Sequence, residues 1–226
     1  MKTPHASRAP RAFTLIELLA VITIIGILVA IIIPVTGKVR ESAKSTTCVN
    51  NLRQIGIGLN TWATDNKGRL PDFPANPSWW DSYTIWNNPG GNAGWIGIGK
   101  LYGDGYITDG RVFYCPTALA GMYDYESQWA PNVRGKDDVT GFRAGYCQRI
   151  APADRPLTLT DGVNHILVTD IFVVNYSQHA SARNGAGGAR YVNILYMDGH
   201  VRCDKTGNRW AHPPANALYE NWEQFP

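Results

Sequence analysis

The hydrophobic pattern of the chain begins with a long apolar run near the N-terminus. Residues 13–33 supply 21 consecutive positions whose only charged member is Glu17. Roughly 20 apolar residues in a helix cross a bilayer core about 30 Å thick. The run therefore predicts one membrane-spanning helix, and no second run of that length follows it. A cleaved secretory signal fits less well, because its apolar region is shorter and ends in a small-residue cleavage site.

An amphipathic pattern follows the apolar run. Apolar residues recur at intervals of three or four, which places them on one face of a helix; they are Val49, Leu52, Ile55, Leu59 and Trp62. Gly68, with Pro71 behind it, is a typical helix end. We therefore predict one helix over 13–66, about 80 Å long at 1.5 Å per residue and bent near Pro34.

The remainder of the chain predicts short strands and long loops. Residues 66–145 are rich in glycine and proline, which favour loops. A short strand is predicted over 112–116 and a longer one over 165–174. Asp198-Gly199 between two apolar segments, 191–197 and 200–203, predicts a hairpin with a two-residue turn. The predicted fold class is α+β, with a long helix packed on a small antiparallel sheet.

Charge separates a short basic head from a neutral body. The 226 residues carry 21 Lys and Arg against 18 Asp and Glu, and Lys2, Arg8 and Arg11 lie in an N-terminal stretch that has no acid. Positive flanks of a membrane helix stay in the cytoplasm, so the body is expected outside it, in the periplasm or the extracellular space. A net charge of +3 without a concentrated basic face argues against a nucleic-acid partner.

The junction of the basic head and the apolar run resembles a known signal. Residues 11–19, RAFTLIELL, are similar to the N-terminal signal of type IV pilins and type II secretion pseudopilins. The resemblance implies cleavage between Ala12 and Phe13 and methylation of the new N-terminal Phe13. It also implies assembly roles for Glu17 and Pro34, which match the family pattern when counted from Phe13. Ala12 departs from the glycine that usually precedes the cut.

The C-terminal half resembles the H-x9-DG prepilin-processing-associated group of bacterial pilin-like proteins. The matching segments are 48–56, 113–116, 167–170 and 193–201. The histidine of the group would stand ten residues before Asp198, where this chain has Gly188, and the nearest upstream histidine is His179. The role of the Asp-Gly motif is therefore left open.

These resemblances imply a pilin-like architecture in four segments. They are a basic leader (1–12), a transmembrane or filament-core helix (13–36), its amphipathic continuation (37–66) and an extracytoplasmic β-containing domain (67–226). The implied function is a structural subunit of a type II secretion pseudopilus or a type IV pilus-like filament. The implied partners are a prepilin peptidase, other pilin-like subunits, an inner-membrane assembly platform and membrane lipid, and the implied location is the inner membrane, crossed once.

Catalytic and metal motifs give no positive signal. The chain has no nucleophile elbow, P-loop or zinc-protease motif, so no enzyme is expected. No cofactor is expected either. Calcium is the open alternative, because acids in loops can supply its oxygen ligands; the candidates are Asp104 with Asp109, Asp137 with Asp138, and Asp154 with Asp161. Asp170, inside an apolar strand, is expected to have a hydrogen-bond partner.

Two other functions are considered. A membrane-anchored binding module for a glycan or a secreted substrate is the main alternative, because several tryptophans lie among glycine and asparagine and could stack on sugars; they are Trp79, Trp80, Trp86 and Trp95. Tryptophans that cover a thin core explain the same pattern. A membrane-tethered enzyme is the third hypothesis, and it lacks a motif.

Four cysteines outside the membrane fit an oxidising compartment and allow three pairings. Cys48 on the packing helix and Cys115 at the end of a predicted strand could join helix to sheet. Cys147 and Cys203 would then pair within the β region. Four buried thiols are the alternative.

Overall fold

The computed structural model describes residues 14–73, 79–87, 94–117, 123–129, 141–151, 155–162, 165–170 and 192–204. The chain divides into two compact units, Met1–Ala43 and Lys44–Pro226. Helix α1, Leu15–Asp65, contributes residues to both units. This helix confirms the single long helix predicted from the apolar run and the amphipathic pattern.

The first unit is represented by the N-terminal part of α1. Its large apolar side chains between Leu15 and Val39 are exposed. Pro34 lies inside the helix, and because proline has no N–H the helix lacks the hydrogen bond that residue 34 would donate to Ala30. The bend near Pro34 and the segment boundary at 36/37 stay predictions.

In the second unit, α1 buries one face in the core of the domain. The fully buried residues of this face follow helical spacing; they are Cys48, Leu52, Ile55, Leu59 and Ala63. Val49, which the sequence pattern placed on this face, is only half-buried, and Cys48 takes its place. The helix ends as predicted, because Gly68 turns the chain with φ +78° and donates its N–H to the Ala63 carbonyl at 2.8 Å.

The described strands of this unit form two antiparallel sheets. The first has the order β2-β1-β3, from Gly94–Trp95, Thr84–Asn87 and Gly141–Arg143. The second has the order β4-β5-β6-β7, from Tyr146–Gln148, Ile166–Asp170, Val192–Tyr196 and Val201–Asp204. A Cβ atom at Gly56 of α1 would lie 2.9 Å from Leu195 Cδ1, so glycine permits the close contact between α1 and β6.

Short helices connect these strands, and one of them replaces a predicted strand. Among the described residues they are α2 (Lys100–Gly103), α3 (Tyr125–Gln128) and 3₁₀ turns at Trp79–Tyr83, Gly97–Gly99 and Gly110–Phe113. The strand predicted over 112–116 is therefore wrong, because 112–113 belong to the 3₁₀ turn and 114–116 are not in a strand. The physical reason is local, since the Asp109 carboxylate accepts a hydrogen bond from Arg111 N at 2.9 Å and caps a helical turn.

The C-terminal hairpin is confirmed, but its turn is longer than predicted. Leu195 pairs with Val201, and Tyr196 N donates to the His200 carbonyl at 3.0 Å. Three residues, 197–199, therefore form the turn, with Gly199 at φ +87°. A three-residue turn that ends in a left-handed glycine is the next most common hairpin connection after the two-residue type.

Candidate functional site

The start of α1 carries a reciprocal hydrogen-bonded cap. Thr14 N and Thr14 Oγ1 both donate to Glu17 Oε2 at 2.8 Å, and Glu17 N donates to Thr14 Oγ1 at 3.3 Å. This arrangement is a capping box, in which a Thr and the Glu three residues later satisfy each other's backbone N–H groups. The Thr-x-x-Glu spacing, followed by an apolar run, is the sequence signal that predicts such a cap. Ala12 and Phe13, the predicted processing residues, lie outside the described part of the chain.

The apolar part of α1 is suited to a membrane or to another helix. Over the described residues, α1 is the one helix long and apolar enough to cross a bilayer. Soluble monomers rarely expose contiguous apolar surfaces of this extent. Glu17 lies close to the N-terminal end of this surface, where a carboxylate costs less than at the bilayer centre.

The structure joins Cys48 to Cys115 in a disulfide, as predicted. Their Cα atoms are 5.1 Å apart, within the usual range for a disulfide. The bond links α1 to the segment that follows the 3₁₀ turn at Gly110–Phe113. A residue of α1 is thereby fixed to one 67 positions further along the chain.

The second predicted disulfide, between Cys147 and Cys203, is wrong. Cys147 lies on β4 and Cys203 on β7, at opposite edges of the four-stranded sheet. Three inter-strand spacings of about 4.8 Å separate these strands by roughly 14 Å. Disulfide geometry needs Cα atoms within about 7 Å, so strand order excludes the pair.

Native alkylation is expected to distinguish these two cysteines. Burial raises the pKa of the Cys147 thiol to about 12, so at pH 8 only about one thiol in ten thousand is the reactive thiolate. Cys203 is exposed. Iodoacetamide at pH 8 should therefore label Cys203 in the folded chain and Cys147 only after denaturation, as read by peptide mass spectrometry. Rapid native labelling of Cys147 would contradict its placement in the core.

Asp170 has the hydrogen-bond partner that its place in an apolar strand required. Its Oδ2 accepts from Asn193 N at 2.9 Å and from Asn193 Nδ2 at 2.8 Å. Tyr146 lies opposite Asp170 in the sheet register, and burial first, then the neighbouring carboxylate, raises the pKa of the Tyr146 hydroxyl. Asp170 also lies beside the Cys48–Cys115 disulfide. The positions of these three residues in the sequence did not predict this contact.

The described loop acids have local structural partners. Asp104 Oδ2 accepts from Trp62 Nε1 at 2.8 Å, Asp109 caps the 3₁₀ turn, and Asp161 accepts from Thr158 N at 2.6 Å and pairs with Arg155. The other calcium candidates, Asp137, Asp138 and Asp154, lie outside the described residues. Calcium stays the open alternative to the expected absence of a cofactor.

Two of the tryptophans considered as a sugar platform pack in the domain instead. The ring centroids of Trp86 and Trp95 are 5.2 Å apart in an edge-to-face contact, and Trp95 also contacts Tyr102 and Trp129 at 5.0 and 5.6 Å. Trp86 and Trp95 are therefore part of an aromatic cluster that covers the core of the domain, which is the structural alternative to a sugar-binding platform. The side chains of Trp79 and Trp80 are not among those described.

The Asp-Gly motif of the C-terminal half also has a local role. Asp198 Oδ1 accepts from His200 N at 3.0 Å, and this hydrogen bond lowers the pKa of the Asp198 carboxyl. The His200 ring stacks on Tyr196 with centroids 4.2 Å apart. The side chains of Asp198 and His200 are partly exposed at the hairpin tip, and their contacts order the turn.

Comparison with known proteins agrees with the N-terminal features. The family described as the prokaryotic N-terminal methylation motif matches residues 7–33, a range that includes Glu17 and the start of α1. No significant match was found among curated proteins or solved structures. The motif and the long apolar helix support a type IV pilin-like or pseudopilin-like protein with a prepilin signal, and they fit a chain anchored in the membrane by a single span.

Proposed function

We propose that the chain is a structural subunit of a pilin-like filament. The observation that carries this proposal is the coincidence of the methylation motif at 7–33 with the start of a long apolar helix at Leu15. In this proposal a prepilin peptidase removes the 1–12 leader, Phe13 is methylated, and the mature chain polymerises with other pilin-like subunits. The chain itself then performs no catalysis.

The membrane orientation follows from charge and redox chemistry. The basic leader favours a cytoplasmic N-terminus, which puts the domain after α1 in the periplasm or outside the cell. A buried disulfide between Cys48 and Cys115 is typical of such oxidising compartments. The chain would be inserted in the inner membrane before assembly and would be extracted from it by an assembly platform.

The proposed assembly contact pairs Glu17 with the amine that cleavage creates on Phe13 of a neighbouring subunit. In an apolar surrounding, a carboxylate and an ammonium group stabilise each other, whereas either charge alone is costly. Glu17 accepts hydrogen bonds through one oxygen, Oε2, from its own Thr14. Within this class we favour a type II secretion pseudopilin, with a surface pilin as the alternative.

The mature N-terminus tests the processing step. Intact-mass and N-terminal peptide mass spectrometry of the membrane-extracted protein should show a chain that begins at Phe13 and carries one methyl group. Co-expression with an inactive prepilin peptidase should leave the leader attached. An unprocessed Met1, or a cut beyond Pro34, would refute the prepilin proposal.

A further inference from the structure

The disulfide and Asp170 form a compact buried cluster of metal-ligating groups. Sulfur atoms of Cys48 and Cys115 and a carboxylate oxygen of Asp170 all lie within 4.8 Å of one another. The three residues are 0%, 2% and 1% exposed, respectively. Three distant parts of the chain contribute them, namely α1, the segment after Gly110–Phe113 and the end of β5.

We propose that reduction of the disulfide converts this cluster into a binding site for a thiophilic divalent cation such as Zn²⁺. An external dithiol supplies two electrons and two protons, the S–S bond breaks, and Cys48 and Cys115 become thiols while the dithiol is oxidised to its own disulfide. The cation then binds both sulfurs as thiolates, and their two protons pass to solvent. Asp170 supplies the third ligand as a carboxylate.

The distances agree with a tetrahedral site. Zinc binds thiolate sulfur at about 2.3 Å and carboxylate oxygen at about 2.0–2.2 Å, so its ligand atoms are separated by roughly 3.5–3.8 Å. Once the S–S bond of about 2.05 Å is broken, the two sulfurs must move about 1.7 Å apart, and the Asp170 oxygen, within 4.8 Å of both, must approach by up to about 1.3 Å. Two thiolates and a carboxylate carry three negative charges, which a divalent cation largely compensates in this buried place.

Neighbouring side chains support such a site. Asn193 binds Asp170 through Oδ2 and so orients the carboxylate, as hydrogen-bond partners of metal ligands commonly do. Thr117 Oγ1 lies 2.9 Å from Cys115 Sγ and 4.0 Å from Cys48 Sγ, where it or a water can complete the coordination. Pro116 is exposed and Thr117 half-buried, so the chain reaches the surface directly after Cys115.

Cobalt substitution tests the proposal directly. The full chain in detergent micelles is reduced with a phosphine and titrated with Co²⁺, whose thiolate charge-transfer absorption reports sulfur ligands. We expect one Co²⁺ per reduced chain, displacement by Zn²⁺, and no thiolate band in the oxidised chain. Asp170→Asn should weaken Co²⁺ binding by about tenfold or more, whereas Cys203→Ser should bind as the parent does.

A folding control is needed to interpret the Co²⁺ titration of Asp170→Asn. Circular dichroism of oxidised Asp170→Asn establishes that the variant folds before reduction. A reduced parent chain without a thiolate-to-cobalt band would overturn the proposal. Equal Co²⁺ affinity of the reduced parent and Asp170→Asn would overturn it as well, because an unfolded chain binds through its thiols without needing Asp170.

Discussion

Replacing Glu17 with alanine is expected to abolish or strongly slow filament assembly while membrane insertion remains intact. The substitution removes a carboxylate from the apolar span, which favours insertion. In the proposed contact, it leaves the amine of a neighbouring Phe13 without its charge partner, and a lone charge is unfavourable in an apolar surrounding. Filament assembly, read by secretion for a pseudopilin or by electron microscopy for a surface pilin, should therefore be lost. The membrane fraction should keep its normal content of processed subunit.

Two matched variants separate the assembly contact from the helix cap. Glu17→Gln keeps an acceptor that can serve a capping box but removes the charge. Thr14→Val keeps the charge but removes the hydroxyl that accepts from Glu17 N and donates to its carboxylate. If the charge pair matters, Glu17→Gln fails like Glu17→Ala and Thr14→Val assembles.

The reverse pattern would assign Glu17 to the helix cap. In that case Glu17→Gln forms filaments and Thr14→Val does not. Normal filaments from Glu17→Ala itself would remove the main physical support for the assembly contact.

Removal of the disulfide is expected to destabilise the domain strongly. The double variant Cys48→Ala/Cys115→Ala opens a cross-link between residues 67 positions apart, which in the chain-entropy treatment corresponds to about 4 kcal/mol. The free energy of unfolding of the oxidised full chain in micelles, followed by tryptophan fluorescence in denaturant, measures this loss. Both cysteines are buried, so cavities left by the lost sulfur atoms add to it.

Cys203→Ser is the matched control for this measurement. Cys203 is exposed on β7, where substitutions usually change stability by less than about 0.5 kcal/mol. A double variant as stable as this control would contradict the structural role of the Cys48–Cys115 bond.

The long helix could be predicted because its apolar run and its amphipathic stripe are each compatible with few secondary structures other than a helix. An apolar run that crosses a bilayer must satisfy its backbone groups internally, and a single segment can do so only as a helix. The stripe around Leu52, Ile55 and Leu59 then continues the same helical spacing. The pattern did not decide between Val49 and Cys48 on the buried face, because both lie about one helical turn before Leu52; in the structure Cys48 is buried and joined to Cys115.

Local hydrogen bonds decided the elements that the pattern assigned wrongly. The apolar and aromatic residues of the 112–116 segment predict a strand. The Asp109 cap instead starts a 3₁₀ turn at Gly110 that includes the first two residues of this segment. At the hairpin tip, Asp198-Gly199 matches a two-residue turn, while the observed register adds Met197 and leaves Gly199 alone in the left-handed region. Neither outcome follows from hydrophobic periodicity.

The sequence by itself determined the long apolar helix, the prepilin-like signal and the presence of a C-terminal hairpin, since these depend on residues close together in the chain. Only the tertiary structure decided which cysteines meet and what surrounds Asp170. Strand order puts Cys147 and Cys203 at opposite edges of one sheet and brings Asp170 beside Cys48 and Cys115. Such placements depend on hydrogen bonds and packing between segments far apart in sequence. The spacing of residues along the chain does not predict these contacts.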